Sequence, residues 1–101
     1  MSAGGVGKRM EWAETYERLQ RLKAGWHVSP QGHLERVVRF PDFAKALEFA
    51  NRVAGLAEAA GHHPDLHISW GMCTVELWTH DVDGLTEKDF SLATKVDALP
   101  S

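Results

Sequence analysis

Residues 61–70 read GHHPDLHISW, placing three of the chain's six histidines within ten positions, with a proline directly after the first two. Imidazole is the side chain that changes charge nearest neutrality, so such a cluster can hold a metal, exchange protons with a ligand, or satisfy carbonyls at a helix end. Another histidine, His80, lies 17 residues after His63 and closes VELWTH, just before the loop DVDGLTEKDF. His62, His63 and His80 could in principle make a three-histidine metal set. However, adjacent histidines point in different directions, the HEXXH spacing is absent, and no cysteine is nearby. Facing each other across a cleft, His80 and the His62–His63 pair would instead offer an acid and a base to one ligand. Glu58 stands four residues before His62, one helical turn away, and a helix C-terminus contributes about 0.3–1 kcal/mol towards a cation. Both neighbours favour an imidazolium at His62. His27, His33 and His67 read as exposed histidines of strands and turns, with no chemistry assigned.

The chain that must position these groups has 101 residues, 44% of them apolar and 25% charged, which suits a single domain over 10–101 behind a flexible start at 1–9. A net charge of -3 and a pI near 6.0 argue against direct nucleic-acid contact, which normally uses a basic stripe. No apolar run approaches the roughly 18–20 residues of a membrane span. The start MSAGGVGK lacks the apolar segment of a secretory signal. Cys73 is the only cysteine, so neither an internal disulfide nor a thiolate zinc cluster can form, and a cytoplasmic location is expected.

Trp12, Tyr16, Leu19 and Leu22 recur at spacings of 4, 3 and 3, predicting an amphipathic helix over Met10–Lys23 that Gly25 ends. WHVSPQGHLERVVRF reads as a hairpin: Trp26–Val28, a Ser-Pro-Gln-Gly turn, and a strand with Leu34, Val38 and Phe40 on one face, interrupted by Arg36. Asp42 is the expected N-cap of a long helix with Phe43, Leu47, Ala50, Val53, Ala54 and Ala57 on one side, and Gly61 is its stop. The apolar parity then changes from Ile68 and Trp70 to Cys73, Val75 and Leu77, which predicts a second hairpin turning at Trp70-Gly71-Met72. Thr86 and Asp89 form a capping box for the last helix, flanked by the Leu85 and Phe90 staple. Asp89 can therefore be a cap or a site residue, and capping is the simpler duty. The four tryptophans, Trp12, Trp26, Trp70 and Trp78, could wall an aromatic pocket or be buried in the core.

This order, α-β-β-α-β-β-α, predicts the α+β class: a four-stranded antiparallel sheet with helices on one face. The unpaired edges of so small a sheet favour a homodimer or homotetramer.

The pattern Glu-x-x-x-His-His-Pro in EAAGHHPDL, followed by THDVDGLTEKDF, resembles the pterin-4a-carbinolamine dehydratase family. AGW at 24–26, RFPDFAKALEFANRVAGLAE at 39–58 and LTEKDFSLATKVD at 85–97 extend the likeness over about residues 10–98. The resemblance implies dehydration of a 4a-hydroxytetrahydropterin to quinonoid dihydropterin and water, within pterin recycling, with no metal or cofactor. It implies His62 and His80 as the acid/base pair and His63 as a substrate-binding residue. Glu58, Pro64, Thr79 and Asp89 match supporting positions, Asp89 being a candidate to orient a histidine or contact the pterin, and Trp26 is placed with the substrate-binding residues. Lys88 stands where some members carry arginine. Possible partners are an aromatic amino-acid hydroxylase that supplies the substrate, or a transcription factor, since some members stabilise a homeodomain protein's dimer. A non-catalytic or dual-role interaction module is therefore the rival reading.

Overall fold

The computed structural model describes residues 8–100. Most of the segment read as a flexible start lies outside the described residues. Arg9, its last residue, donates from Nη1 to the Asp83 carbonyl at 3.2 Å, and the Met10 amide donates to the Leu85 carbonyl at 2.6 Å.

The elements run α1 (Trp12–Leu19), β1 (Trp26–Val28), β2 (Leu34–Arg39), α2 (Phe43–Ala60), β3 (Asp65–Ser69), β4 (Met72–Leu77), a 3₁₀ turn (His80–Val82) and α3 (Glu87–Asp97). The sheet is antiparallel in the order β1-β2-β4-β3, so each hairpin puts its longer strand in the centre. Pairing of Leu34 with Leu77, Arg36 with Val75 and Val38 with Cys73 aligns the inward residues of the two central strands. Because side chains alternate along a strand, this register gathers Leu34, Val38, Cys73, Val75 and Leu77 on the buried face. Phe49, Val53, Ala57, Phe90, Leu92 and Val96 close the core from α2 and α3. The predicted α+β architecture, with its order of elements, is the one observed. Among the described residues no helix is long and apolar enough to cross a membrane.

Local chemistry sets the boundaries. The Asp42 carboxylate accepts from the Lys45 amide at 2.8 Å to start α2. Thr86 caps α3, its hydroxyl accepting from the Lys88 amide while the Asp89 carboxylate accepts from the Thr86 amide at 2.9 Å. Leu85 and Phe90 are both buried beside this cap, as the staple requires.

Two helices differ from the predicted pattern. In α1, which ends at Leu19, Trp12 and Tyr16 are exposed and touch each other, while Thr15 is buried. The helix is turned by Arg18, which pairs with Glu87 and lies over the Phe90 ring, so the inward line becomes Thr15, Arg18, Leu19 and Leu22. In α2 the buried line is Ala46, Phe49, Ala50, Val53 and Ala57, leaving Phe43, Leu47 and Ala54 outside; this helix is apolar over a wider arc than its neighbours cover.

Arg36, which interrupts the apolar face of β2, has a partner that the local pattern hides. Asp97 Oδ1 accepts from Arg36 Nη1 and from Trp26 Nε1, both at 2.8 Å, and Oδ2 accepts from the Lys23 amide at 2.9 Å.

Candidate active site

Three chain segments converge at one end of the sheet. The first is the terminus of α2, where Gly61 takes the left-handed conformation (φ 65°). Its amide donates to the Glu58 carbonyl and the His62 amide to the Ala57 carbonyl, the paired bonds of a Schellman ending. The chain is thereby turned off the helix axis, carrying His62 towards α3 and His63 outwards. The second segment is the end of β4, where Trp78, Thr79 and His80 follow the last ladder residue. The third is the first turn of α3, with Asp89 and Lys88.

Together His62, His63, Trp78, Thr79, His80, Asp81 and Lys88 border a cleft of about 270 Å³. A hollow of the same volume beside α2, lined by Phe40, Pro41, Lys45, Glu48, Phe49, Arg52 and Pro100, contains no histidine.

His62 is the most constrained of the three cleft histidines. Its side chain is 12% exposed, and its Nε2–H donates to Asp89 Oδ1 at 2.6 Å; as that carboxylate is the acceptor, Nδ1 is left for a ligand. Asp89 is completely buried, and its second oxygen accepts from the Thr79 hydroxyl at 2.8 Å as well as from the Thr86 amide. The Thr86 hydroxyl in turn donates to Thr79 Oγ1 at 2.8 Å. One carboxylate thus serves both as helix cap and as hydrogen-bond partner of His62.

Glu58 does not pair with His62. It pairs with His63 at 2.9 Å, because the left-handed turn at Gly61 breaks the helical i,i+4 geometry before His62 is reached. Both members are exposed, so the contact orients His63 with little energy of its own. Pro64 follows, one residue before β3, half-buried and outside the cleft wall. Trp26 is in a different place altogether: it is 7% exposed in the core, with its Nε1–H on Asp97, and does not border the cleft.

The aromatic wall is Trp78. Its indole stacks on His80, with centroids 4.3 Å apart and planes 16° from parallel, and on His33, at 3.9 Å and 2°. His33 is therefore no exposed turn residue: it is 9% exposed, and its Nδ1–H donates to Glu76 Oε2 at 2.6 Å. The other Glu76 oxygen accepts from His67 Nε2 at 2.8 Å. Hydrogen bonds from His33 and His67 hold the Glu76 carboxyl below the usual range, against the upward pull of partial burial. His67 itself remains exposed, and His27 meets Glu35 at 3.1 Å on the same open face.

The period-2 rule would have put Trp78 and His80 on one side of β4. Finding His33 needed the β2–β4 register, in which Leu34 opposite Leu77 brings residue 33 across from 78. Among the described residues no three His, Cys, Asp or Glu side chains converge as metal ligands would.

Comparison with known proteins bears on the family and the fold. The family model described as pterin 4 alpha carbinolamine dehydratase matches residues 8–99. A Rickettsia bellii protein provisionally named pterin-4-alpha-carbinolamine dehydratase is 53% identical over 96 residues, covering 95% of this chain and 84% of that protein. The crystal structure of a transcriptional coactivator/pterin dehydratase from Brucella melitensis superposes with a TM-score of 0.83 at 34% identity, covering 90% of this chain and 97% of that one. A pterin dehydratase-like protein identified as a RuBisCO assembly factor in the alpha-carboxysome shares the fold, with a TM-score of 0.61 at 22% identity, over 73% of this chain and 87% of its own. With a family match spanning nearly all the described residues and a relative of this similarity, the chain belongs to the pterin 4 alpha carbinolamine dehydratase family.

Proposed function

We propose that the chain dehydrates a 4a-hydroxytetrahydropterin to quinonoid dihydropterin, with His62 and His80 as the proton-transfer pair. The observation that carries this reading is the cleft, in which two differently anchored imidazoles border one space in a chain of this family. The C–O bond at the 4a carbon breaks as an acid protonates the departing oxygen, which leaves as water. A base removes the ring N–H proton, and the nitrogen electron pair forms the C=N bond. His62 suits the base role, because the Asp89 carboxylate behind it stabilises the imidazolium formed when Nδ1 takes a proton, as the aspartate of a catalytic triad does. His80, exposed at the cleft mouth, is the acid, and His63 binds the substrate edge with Glu58 behind it. The reaction is set in the cytoplasm, where a single thiol stays reduced.

Chemically generated 4a-hydroxytetrahydropterin, followed by ultraviolet absorbance, should dehydrate faster with the protein present. His62→Ala and His80→Ala should each lose about 10²-fold or more of that acceleration, the contribution typical of one acid or base. Full activity in both variants would sink the mechanism.

We also infer self-association: β1 and β3 are open edges, and Phe43, Leu47 and Trp70 are exposed. Sedimentation should give a species larger than one chain, reduced in size by Leu47→Glu with the fold retained. A wild-type monomer at micromolar concentration would rule this out.

The Brucella neighbour's description joins coactivator to dehydratase, which favours a protein-binding role as the second reading. Capture of a partner that persists when His62, His63 and His80 are all replaced would support that role over catalysis.

A further inference from the structure

The three cleft histidines are held in different ways. His62 donates to Asp89 and His63 meets Glu58, whereas the His80 ring has no hydrogen-bond partner among the described residues. What orients His80 is the flat face of Trp78. Trp78 in turn carries a second imidazole at 3.9 Å with planes 2° from parallel, that of His33. Two imidazoles this close to one indole centroid, both nearly parallel to it, would overlap if they lay on the same face. The indole is therefore clamped between them, in the order His33, Trp78, His80.

The far end of this stack is firmly fixed. The His33 amide donates to Ser29 Oγ at 3.2 Å, its carbonyl accepts from the Ser29 amide at 2.8 Å, and its ring is tied to Glu76. Glu76 is steadied by His67 on its other oxygen. Rigidity thus passes from the turn of the first hairpin, through an indole, to a histidine ring that makes no side-chain hydrogen bond among the described residues.

We propose that His33 is a positioning residue for His80, acting through the Trp78 indole. This rests on the reading of His80 as a proton donor, since its purpose is to keep that ring at a fixed angle to the substrate. His33 does not border the cleft and exchanges no proton with the ligand. The feature it supplies is a flat, immobile surface behind Trp78.

Two substitutions separate the ring from the hydrogen bond. His33→Gln retains a donor for Glu76 and removes the ring, while His33→Phe retains a flat ring and removes the donor. If the stack positions His80, His33→Gln should lower kcat about tenfold with KM little changed, as small misplacements of a reacting group do, while His33→Phe stays within about twofold of the wild type. The reverse order, or equal losses in both variants, would overturn the proposal.

A second readout does not depend on turnover. The His80 ring carbon-bound protons should be shifted upfield by the indole in the nuclear magnetic resonance spectrum. That shift should shrink in His33→Gln and survive in His33→Phe, and an unaltered shift in His33→Gln would overturn the proposal even if activity fell. A wild-type protein without dehydratase activity would overturn the functional reading instead, leaving the resonance experiment to decide whether His33 positions the ring.

Discussion

Asp89 gathers three donors on two oxygens, from His62, Thr79 and Thr86, at zero exposure. Asp89→Ala should cost about 2–4 kcal/mol in urea unfolding, since it removes a cap and strands buried donors. Asp89→Asn is nearly isosteric and separates stability from chemistry. Its amide replaces a full negative charge behind His62, so activity should fall about 10²-fold or more while unfolding shifts less than in the alanine variant. An Asn variant with wild-type kcat would remove Asp89 from the mechanism. At this scale Asp89 was visible in the sequence because its capping spacing is local, whereas the place of Trp26 was not. Its partner Asp97 is 71 residues away, and no period in the chain records such a bond. Trp26→Phe should accordingly leave activity within about twofold, because the ring contributes hydrophobic burial away from the cleft. Asp97→Ala should cost about 3–5 kcal/mol by leaving the Arg36 guanidinium unpaired in a largely buried position.

Among the elements, the end of α2 does most to shape the site. Gly61 is left-handed with open space around its missing Cβ, so Gly61→Ala meets no clash and its cost is conformational, about 1–2 kcal/mol in urea unfolding. The substitution should also lower kcat, because relaxing that residue rotates His62 away from Asp89. A fully stable variant with unchanged kcat would show that the turn is dispensable. Strands, turns and caps were legible because alternation, Gly and Ser/Thr/Asp signals act over a few residues. The direction of α1 was not, since its apolar spacing fits more than one rotation and Arg18 chooses between them through Glu87 and Phe90 on α3. The exposed stripe of α2 escaped for a related reason: periodicity reveals which residues are apolar and not how much of the helix a small domain can cover.

For the molecule as a whole, the open face of the sheet links stability to acidity. Glu76 has a carboxyl pKa lowered on folding, so its contribution is fully present above the unfolded value of about 4.3 and is lost as pH falls through the lower folded value. Glu87 is lowered by Arg18 but is largely exposed, so most of the effect belongs to Glu76. Melting temperature should thus fall more steeply between pH 5 and pH 3 in the wild type than in Glu76→Gln, and parallel curves would refute the assignment (roughly the carboxylate range). Cys73, fully buried with its thiol pushed up by burial, should react with iodoacetamide only on unfolding, giving a handle on global opening in the same experiments. The bond between His62 and Asp89 spans 27 residues of chain and depends on the cap of α3. Asp89 follows His62 in chain order and lies in the first turn of α3, so this bond requires both helices to be present. A chain cut between His80 and Asp89 would therefore carry every histidine of the candidate site and lack the carboxylate that orients one of them.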